Sequence, residues 1–171
     1  LAPFNYGGDG KALPVIWEAQ QKFANEEKDA GMAVITDVGN LHDIHPNDKE
    51  TVGRRLALLA LKRDYGMKAI KADSPTLKES KVENGTFVLT FNNAESWYTT
   101  GNQPAKNFEV AGADGTFAEA KVEIKGAQLV VSSDKVSAPT QLRFMGNQSC
   151  EGNLYNEACL LPGAFHISAG K

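Results

Sequence analysis

Along the chain the hydrophobic pattern changes its period once. Up to about Asp73-Ser74-Pro75 the apolar residues recur at helical spacing or in one unbroken run, and from about Thr76 they alternate with polar ones. The change predicts two units, residues 1–73 and 74–171. In the first, Pro14 suits the first turn of a helix that carries Trp17, Ala19, Gln20, Phe23 and Ala24 to about Lys28, with Gly31 closing it. Met32-Ala33-Val34-Ile35 then lacks polar alternation, which predicts a strand from Met32 to Thr36 buried on both faces, as in a parallel sheet covered by helices. Leu1-Ala2-Pro3 reads as the tail of the preceding parallel strand, with the Pro14 helix as the crossover. A second helix is marked by Asn47 as cap, Glu50 reaching back and Gly66 after Tyr65. Val52, Leu56, Leu59 and Ala60 form its apolar stripe, and Lys49, Arg54, Lys62 and Asp64 its solvated face.

In the second unit, Phe87-Leu89-Phe91, Ala120-Val122-Ile124, Leu129-Val131 and Leu142-Phe144 alternate with polar partners, so each predicted strand buries one face. Lys125-Gly126 and Asp114-Gly115 are turn signals between such strands, and the spacing predicts a small antiparallel sandwich. Residues 146–171, rich in Gly, Asn and Pro, read as an irregular tail packed on a surface. Internal repeats are absent from the sequence.

Composition narrows the function classes. The 171 residues carry a net charge of -3 and no basic footprint, which argues against nucleic acid as a partner. No apolar run approaches the roughly 20 residues that cross a bilayer, so no membrane partner is expected and the piece reads as soluble. The chain starts at Leu1 without methionine or a secretory signal, which reads as an internal piece of a longer protein. Cys150 and Cys159 are either a small disulfide-closed ring or two free thiols.

The candidate chemistry lies in the loop that leaves the predicted strand. In open α/β sheets the working groups gather beyond the carboxyl ends of strands, where Asp37 to His45 falls. An imidazole such as that of His45 can take a proton from a serine hydroxyl near neutral pH and return it. A carboxylate must hold its other nitrogen; Asp43 is the nearer candidate and Asp37 the second. His42 and His45 with Asp43 also suggest a metal site, but no further ligand set follows at the right spacing, so neither metal nor cofactor is expected. Nothing in the chain supplies a convincing serine nucleophile: it reads as half an active site. Trp97 and Tyr98 are open to two readings, a sugar-stacking platform or plain packing, and His166 reads as a surface residue.

Several segments carry a resemblance, in order. Ile35-Thr36-Asp37-Val38-Gly39, Asp43-Ile44-His45-Pro46, Lys49-Glu50-Thr51-Val52-Gly53-Arg54-Arg55-Leu56-Ala57 and Tyr65-Gly66 form the closest block. Leu1-Ala2-Pro3-Phe4 and Trp17-Glu18-Ala19-Gln20 precede it. Leu142-Arg143-Phe144, Gly152-Asn153-Leu154-Tyr155-Asn156, Leu161-Pro162 and Phe165 follow it. Together they resemble the C-terminal portion of the sialate O-acetylesterase family of SGNH-type hydrolases. The resemblance implies the end of an SGNH-like α/β/α hydrolase domain over residues 1–73, followed by a companion β-sandwich over 74–171. It implies a serine esterase that removes acetyl groups from sialic acids or related sugars, with His45 as base. The nucleophile and oxyanion donors would come from the remainder of the hydrolase domain, as a companion segment or chain. Many SGNH enzymes place the acid three residues before the histidine, where this chain has His42, so Asp37 stays open beside Asp43. The resemblance also suggests an extracytoplasmic protein, in which Cys150 and Cys159 would face each other as a bridge. The alternative function is a non-catalytic carbohydrate-binding or interaction module.

Overall fold

The computed structural model describes residues 1–168; residues 169–171 of the expected tail lie outside them. Two helices, α1 (Ala12–Glu26) and α2 (Lys49–Arg63), precede ten strands. In chain order these are β1 (Thr76–Glu83), β2 (Thr86–Asn92), β3 (Trp97–Thr99), β4 (Phe108–Ala111), β5 (Phe117–Glu119), β6 (Lys121–Lys125), β7 (Gln128–Ser132), β8 (Gln141–Phe144), β9 (Leu154–Asn156) and β10 (Phe165–Ser168). They form two four-stranded sheets, β1-β2-β7-β6 and β10-β8-β4-β5, and a small ladder of β3 with β9. Every pairing among the described residues is antiparallel.

The two-residue alternation does its work where both neighbours are strands. Phe87, Leu89 and Phe91 on β2, Leu129 and Val131 on β7, and Phe108, Val110, Leu142 and Phe144 on β4 and β8 are buried in one apolar cluster fed by both large sheets. The β6–β7 hairpin turns at Gly126 and Ala127, as Lys125-Gly126 predicts, with Gly126 at φ 62, a left-handed conformation that glycine adopts without a β-carbon clash. On β6 the alternation fades outward. Ala120, just before it, is buried, but Ile124 is exposed, because β6 is a sheet edge with only β7 beside it. Leu13, Pro14 and Trp17 of α1 are buried, and Leu13 and Trp17 reach the same cluster.

The predicted parallel strand Met32–Thr36 does not form. A strand needs a ladder partner, and no described backbone offers one along this segment. Val34 and Thr36 are nonetheless buried, and their carbonyls find other donors: the Arg55 guanidinium bonds Val34 O at 2.7 Å and the Gly152 N–H bonds Thr36 O at 3.0 Å. Leu1-Ala2-Pro3 likewise pairs with no strand; its carbonyl at Leu1 accepts the Trp17 indole N–H at 2.7 Å. The cap of α2 is Asp48, one residue past the expected Asn47, its carboxylate accepting the Thr51 N–H at 2.8 Å. Gly66 (φ 71) follows the helix as expected, and the Met67 N–H returns to Leu61 O at 3.0 Å. The apolar stripe is only half covered: Leu59 is buried and Leu56 is exposed, whereas the neighbouring charged Arg55 is buried.

The tail is more regular than its composition predicts, because two polar side chains tie it down from inside. Asn156, buried, donates to Asn93 O at 2.6 Å and accepts from the Ala158 and Leu160 N–H groups. Gln148, also buried, donates to Asn5 Oδ1 at 3.2 Å and Gly7 O at 3.0 Å. Glu157 adds an acid-sensitive tie. Burial pushes its carboxyl up, but the bond from Lys71 and those from the backbone N–H groups of Glu157, Glu95 and Ser96 hold it down at about 2. A depressed carboxylate contributes stability above its ordinary 4.5 and loses it as the pH falls toward 2. Glu157→Gln is therefore expected to lower stability at neutral pH and to flatten its decline between these values, measured by urea unfolding across a pH series. An unchanged acid slope would exclude this tie.

Candidate functional site

The His45 loop begins after residues 32–36 and closes at the cap of α2. Its turns are made by side chains bonding the backbone two residues on: Asn40 accepts the His42 N–H at 2.9 Å, and Asp43 accepts the His45 N–H at 2.8 Å. The Leu41 carbonyl takes the Asn5 N–H at 3.3 Å, and Gly39 lies so close to Pro3 that a β-carbon there would stand 2.9 Å from the Pro3 carbonyl oxygen. The loop is thus laid against residues 3–5.

On this loop His45 Nδ1 stands 3.6 Å from Asp43 Oδ1, outside hydrogen-bond length but in reach of it. The two are brought together by the Asp43 turn itself. The His45 side chain is 86% exposed and makes no hydrogen bond with a serine among the described residues. His42 is exposed in the same loop. No group of three or more His, Cys, Asp and Glu residues is gathered as a metal cluster among the described residues.

Asp37 is placed quite differently. Both its oxygens receive Arg55, Nη1 at 2.7 Å and Nη2 at 2.6 Å, and Oδ2 also accepts the Tyr155 hydroxyl at 3.1 Å. Pair and partner are nearly sealed, with side chains 4% and 8% exposed. Burial draws the Arg55 pKa down, but the bonds to Asp37 outweigh it and hold the guanidinium above its ordinary value. Arg55 escaped the sequence reading because a charge on a helix is normally solvated; the signal that finds it is its position beside Leu59 and Leu56, on the face toward residues 32–36.

Trp97 packs in the core, edge-on to Phe91 at 4.9 Å, and its indole N–H bonds Ala127 O at 2.9 Å. This removes it from any sugar-stacking platform. Tyr98 remains exposed, stacked on Tyr155 at 5.4 Å and 16°. Burial and then the Cys159 thiol push the Tyr98 hydroxyl up to about 12. Cys150 and Cys159 are free thiols, not a bridge. Burial pushes the Cys150 thiol up, and Cys159 is exposed, so a thiol reagent at pH 8 is expected to label one group quickly and the second slowly. Equal rates, or no reaction until reductant is added, would count against this arrangement. His166 lies exposed on β10, with its ring 5.9 Å from that of Phe117.

A further feature is an open apolar groove of about 660 Å³ between α1, residues 32–36 and α2, lined among others by Ile16, Phe23, Met32, Ile35, Val52 and Leu56. It explains why Phe23 and Leu56, apolar and on the expected faces, are exposed.

No family model matches the chain, and no curated protein matches it significantly. Among solved structures, its fold finds a counterpart in the carbohydrate esterases. One such structure is that of XAC1771, described as a novel carbohydrate acetylesterase from Xanthomonas citri. It is 34% identical over 98% of this chain, with a TM-score of 0.90. The chain spans 39% of that protein's length.

Proposed function

We propose that the chain is the histidine-bearing portion of a carbohydrate O-acetylesterase, with residues 1–73 the end of an SGNH-like hydrolase domain and 74–171 a companion β-sandwich. The observation that carries the reading is the likeness to a carbohydrate acetylesterase from end to end of the chain at 34% identity. Two features support it further. His45 and Asp43 stand close together and open to approach, and the groove between α1, residues 32–36 and α2 offers apolar surface to a further part of a hydrolase domain.

In this reading a serine from outside these residues attacks the ester carbonyl. His45 takes the hydroxyl proton at Nε2 and passes it to the leaving sugar oxygen, and water then releases acetate from the acyl-enzyme by the reverse transfers. Asp43 holds Nδ1–H and stabilises the imidazolium; the 3.6 Å gap needs to close by less than 1 Å to about 2.8 Å for that bond. Asp37 is a poor acid for the role because its oxygens already serve Arg55 and Tyr155. Substrates are acetylated sugars, sialic acids among them, in an extracytoplasmic setting.

The test is acetate release from 4-nitrophenyl acetate and from O-acetylated sialic acid and xylan by the full-length protein, beside residues 1–171 alone. The full-length protein is expected to hydrolyse acetyl esters, and the 171-residue chain to be inactive, because loss of one triad member costs orders of magnitude. Hydrolysis by the short chain that a serine-directed inhibitor abolishes would place the nucleophile within it. No turnover of any acetyl ester by the full-length protein would remove the reading.

A further inference from the structure

Arg55, Asp37 and Tyr155 take no part in the proton transfer, yet they converge on the segment that carries His45. The loop of residues 38–47 is flanked by two carboxylates, and both are bonded to the same helix. Asp48 caps the first turn of α2 through Thr51, and Asp37 is gripped by Arg55 one turn further on. Arg55 also holds Val34 O at 2.7 Å, so one guanidinium fixes both residues 32–36 and the point where the loop departs from them. Tyr155, paired through β9 with β3 and stacked on Tyr98, brings the tail to the same carboxylate.

We propose that the buried Arg55–Asp37 pair is a positioning device that clamps the leading end of the His45 loop onto α2, whose Asp48 cap holds the other end, and registers the loop against the tail through Tyr155. The need for it follows from His45 itself: its exposed side chain stands beside Asp43, on the same loop, so its placement is that of the loop. Fixing the ends of a ten-residue loop restricts the directions in which its tip can present a side chain, and a general base displaced by an ångström loses about a hundredfold in rate. Lysine cannot replace Arg55, because only the planar fork reaches both carboxylate oxygens and the Val34 carbonyl together. The effect on catalysis rests on the esterase reading; the clamp does not.

The experiment must separate positioning from stability, and the chemistry of buried pairs permits it. Replacing a buried ion pair with apolar groups of similar size commonly preserves stability, whereas removing one partner does not. In the full-length protein, Arg55→Met with Asp37→Leu is expected to lower the melting temperature less than Asp37→Leu alone, although Val34 O and the Tyr155 hydroxyl each lose a partner. The same variant should speed hydrogen exchange in residues 38–47 and lower kcat for an aryl acetate about a hundredfold, with KM within about twofold. Tyr155→Phe, which keeps the ring stack, should shift exchange and kcat the same way by a smaller factor. Should the double variant fail to fold, Arg55→Lys and Tyr155→Phe carry the same two readouts. Unchanged exchange in 38–47 overturns the clamp, and faster exchange with an unchanged kcat overturns its positioning role. If His45→Ala retains activity, the esterase reading falls instead, while the exchange data still decide whether the clamp exists.

Discussion

Replacing His45 by alanine in the full-length protein is expected to lower the turnover of acetyl esters by about four to six orders of magnitude, because a serine hydroxyl without its base is almost unreactive at neutral pH. The fold should be untouched. The side chain is 86% exposed, so its removal opens no cavity and leaves no polar group unpaired. The carboxylates then separate by two measurements rather than one. Asp43→Asn should lower kcat by about three to four orders of magnitude at constant melting temperature, since Asp43 is exposed and in the proposed mechanism it holds the imidazole. Asp37→Asn leaves Arg55 buried without its counter-charge and should cost about 3–5 kcal/mol of stability. Steady-state kinetics with a thermal melt on each variant read both effects. Near-normal turnover in His45→Ala would end the catalytic assignment, and a stable, inactive Asp37→Asn beside an active Asp43→Asn would move the acid to Asp37.

What the sequence disclosed follows from how local each feature is. The β2 and β7 alternation, the Gly126 hairpin, both helices and the proximity of Asp43 to His45 are encoded within a few residues, and each appears where the pattern places it. Of Met32–Thr36, expected as a strand buried on both faces, only Val34 and Thr36 are buried and no ladder forms, since a ladder depends on a partner distant in sequence. The tail misled for the opposite reason. Its Gly, Asn and Pro content predicts irregular chain, yet β9 and β10 find ladder partners in β3 and β8, and Asn156 and Gln148 tie the tail to segments 63 and more than 140 residues away. Arg55 was invisible to periodicity, which cannot tell a charge facing water from one paired inside.

The second large effect expected is on stability, and it tests whether the two sheets share one core. Phe108 on β4 is fully buried, its ring 4.5 Å from Phe144 on β8 and 6.5 Å from Phe165 on β10. Its carbonyl accepts the Ala120 N–H at 2.9 Å, so the backbone beneath it is held and cannot collapse into the space a smaller residue leaves. Phe108→Ala should therefore cost about 3–5 kcal/mol, the transfer and cavity terms together. For a chain of this size each kcal/mol moves the melting temperature by about 2–4 °C, which puts the expected drop near 10 °C. Ile124 is the control, because the alternation of β6 marks it as an inward residue while the structure leaves it 38% exposed on an edge strand. Ile124→Ala should cost less than about 1 kcal/mol. The two variants differ in burial rather than in hydrophobic character, so thermal melts followed by circular dichroism compare packing directly. Similar losses at both positions would mean that Phe108 is not enclosed between sheets, and the single core joining β2 and β7 to β4 and β8 would have to be abandoned.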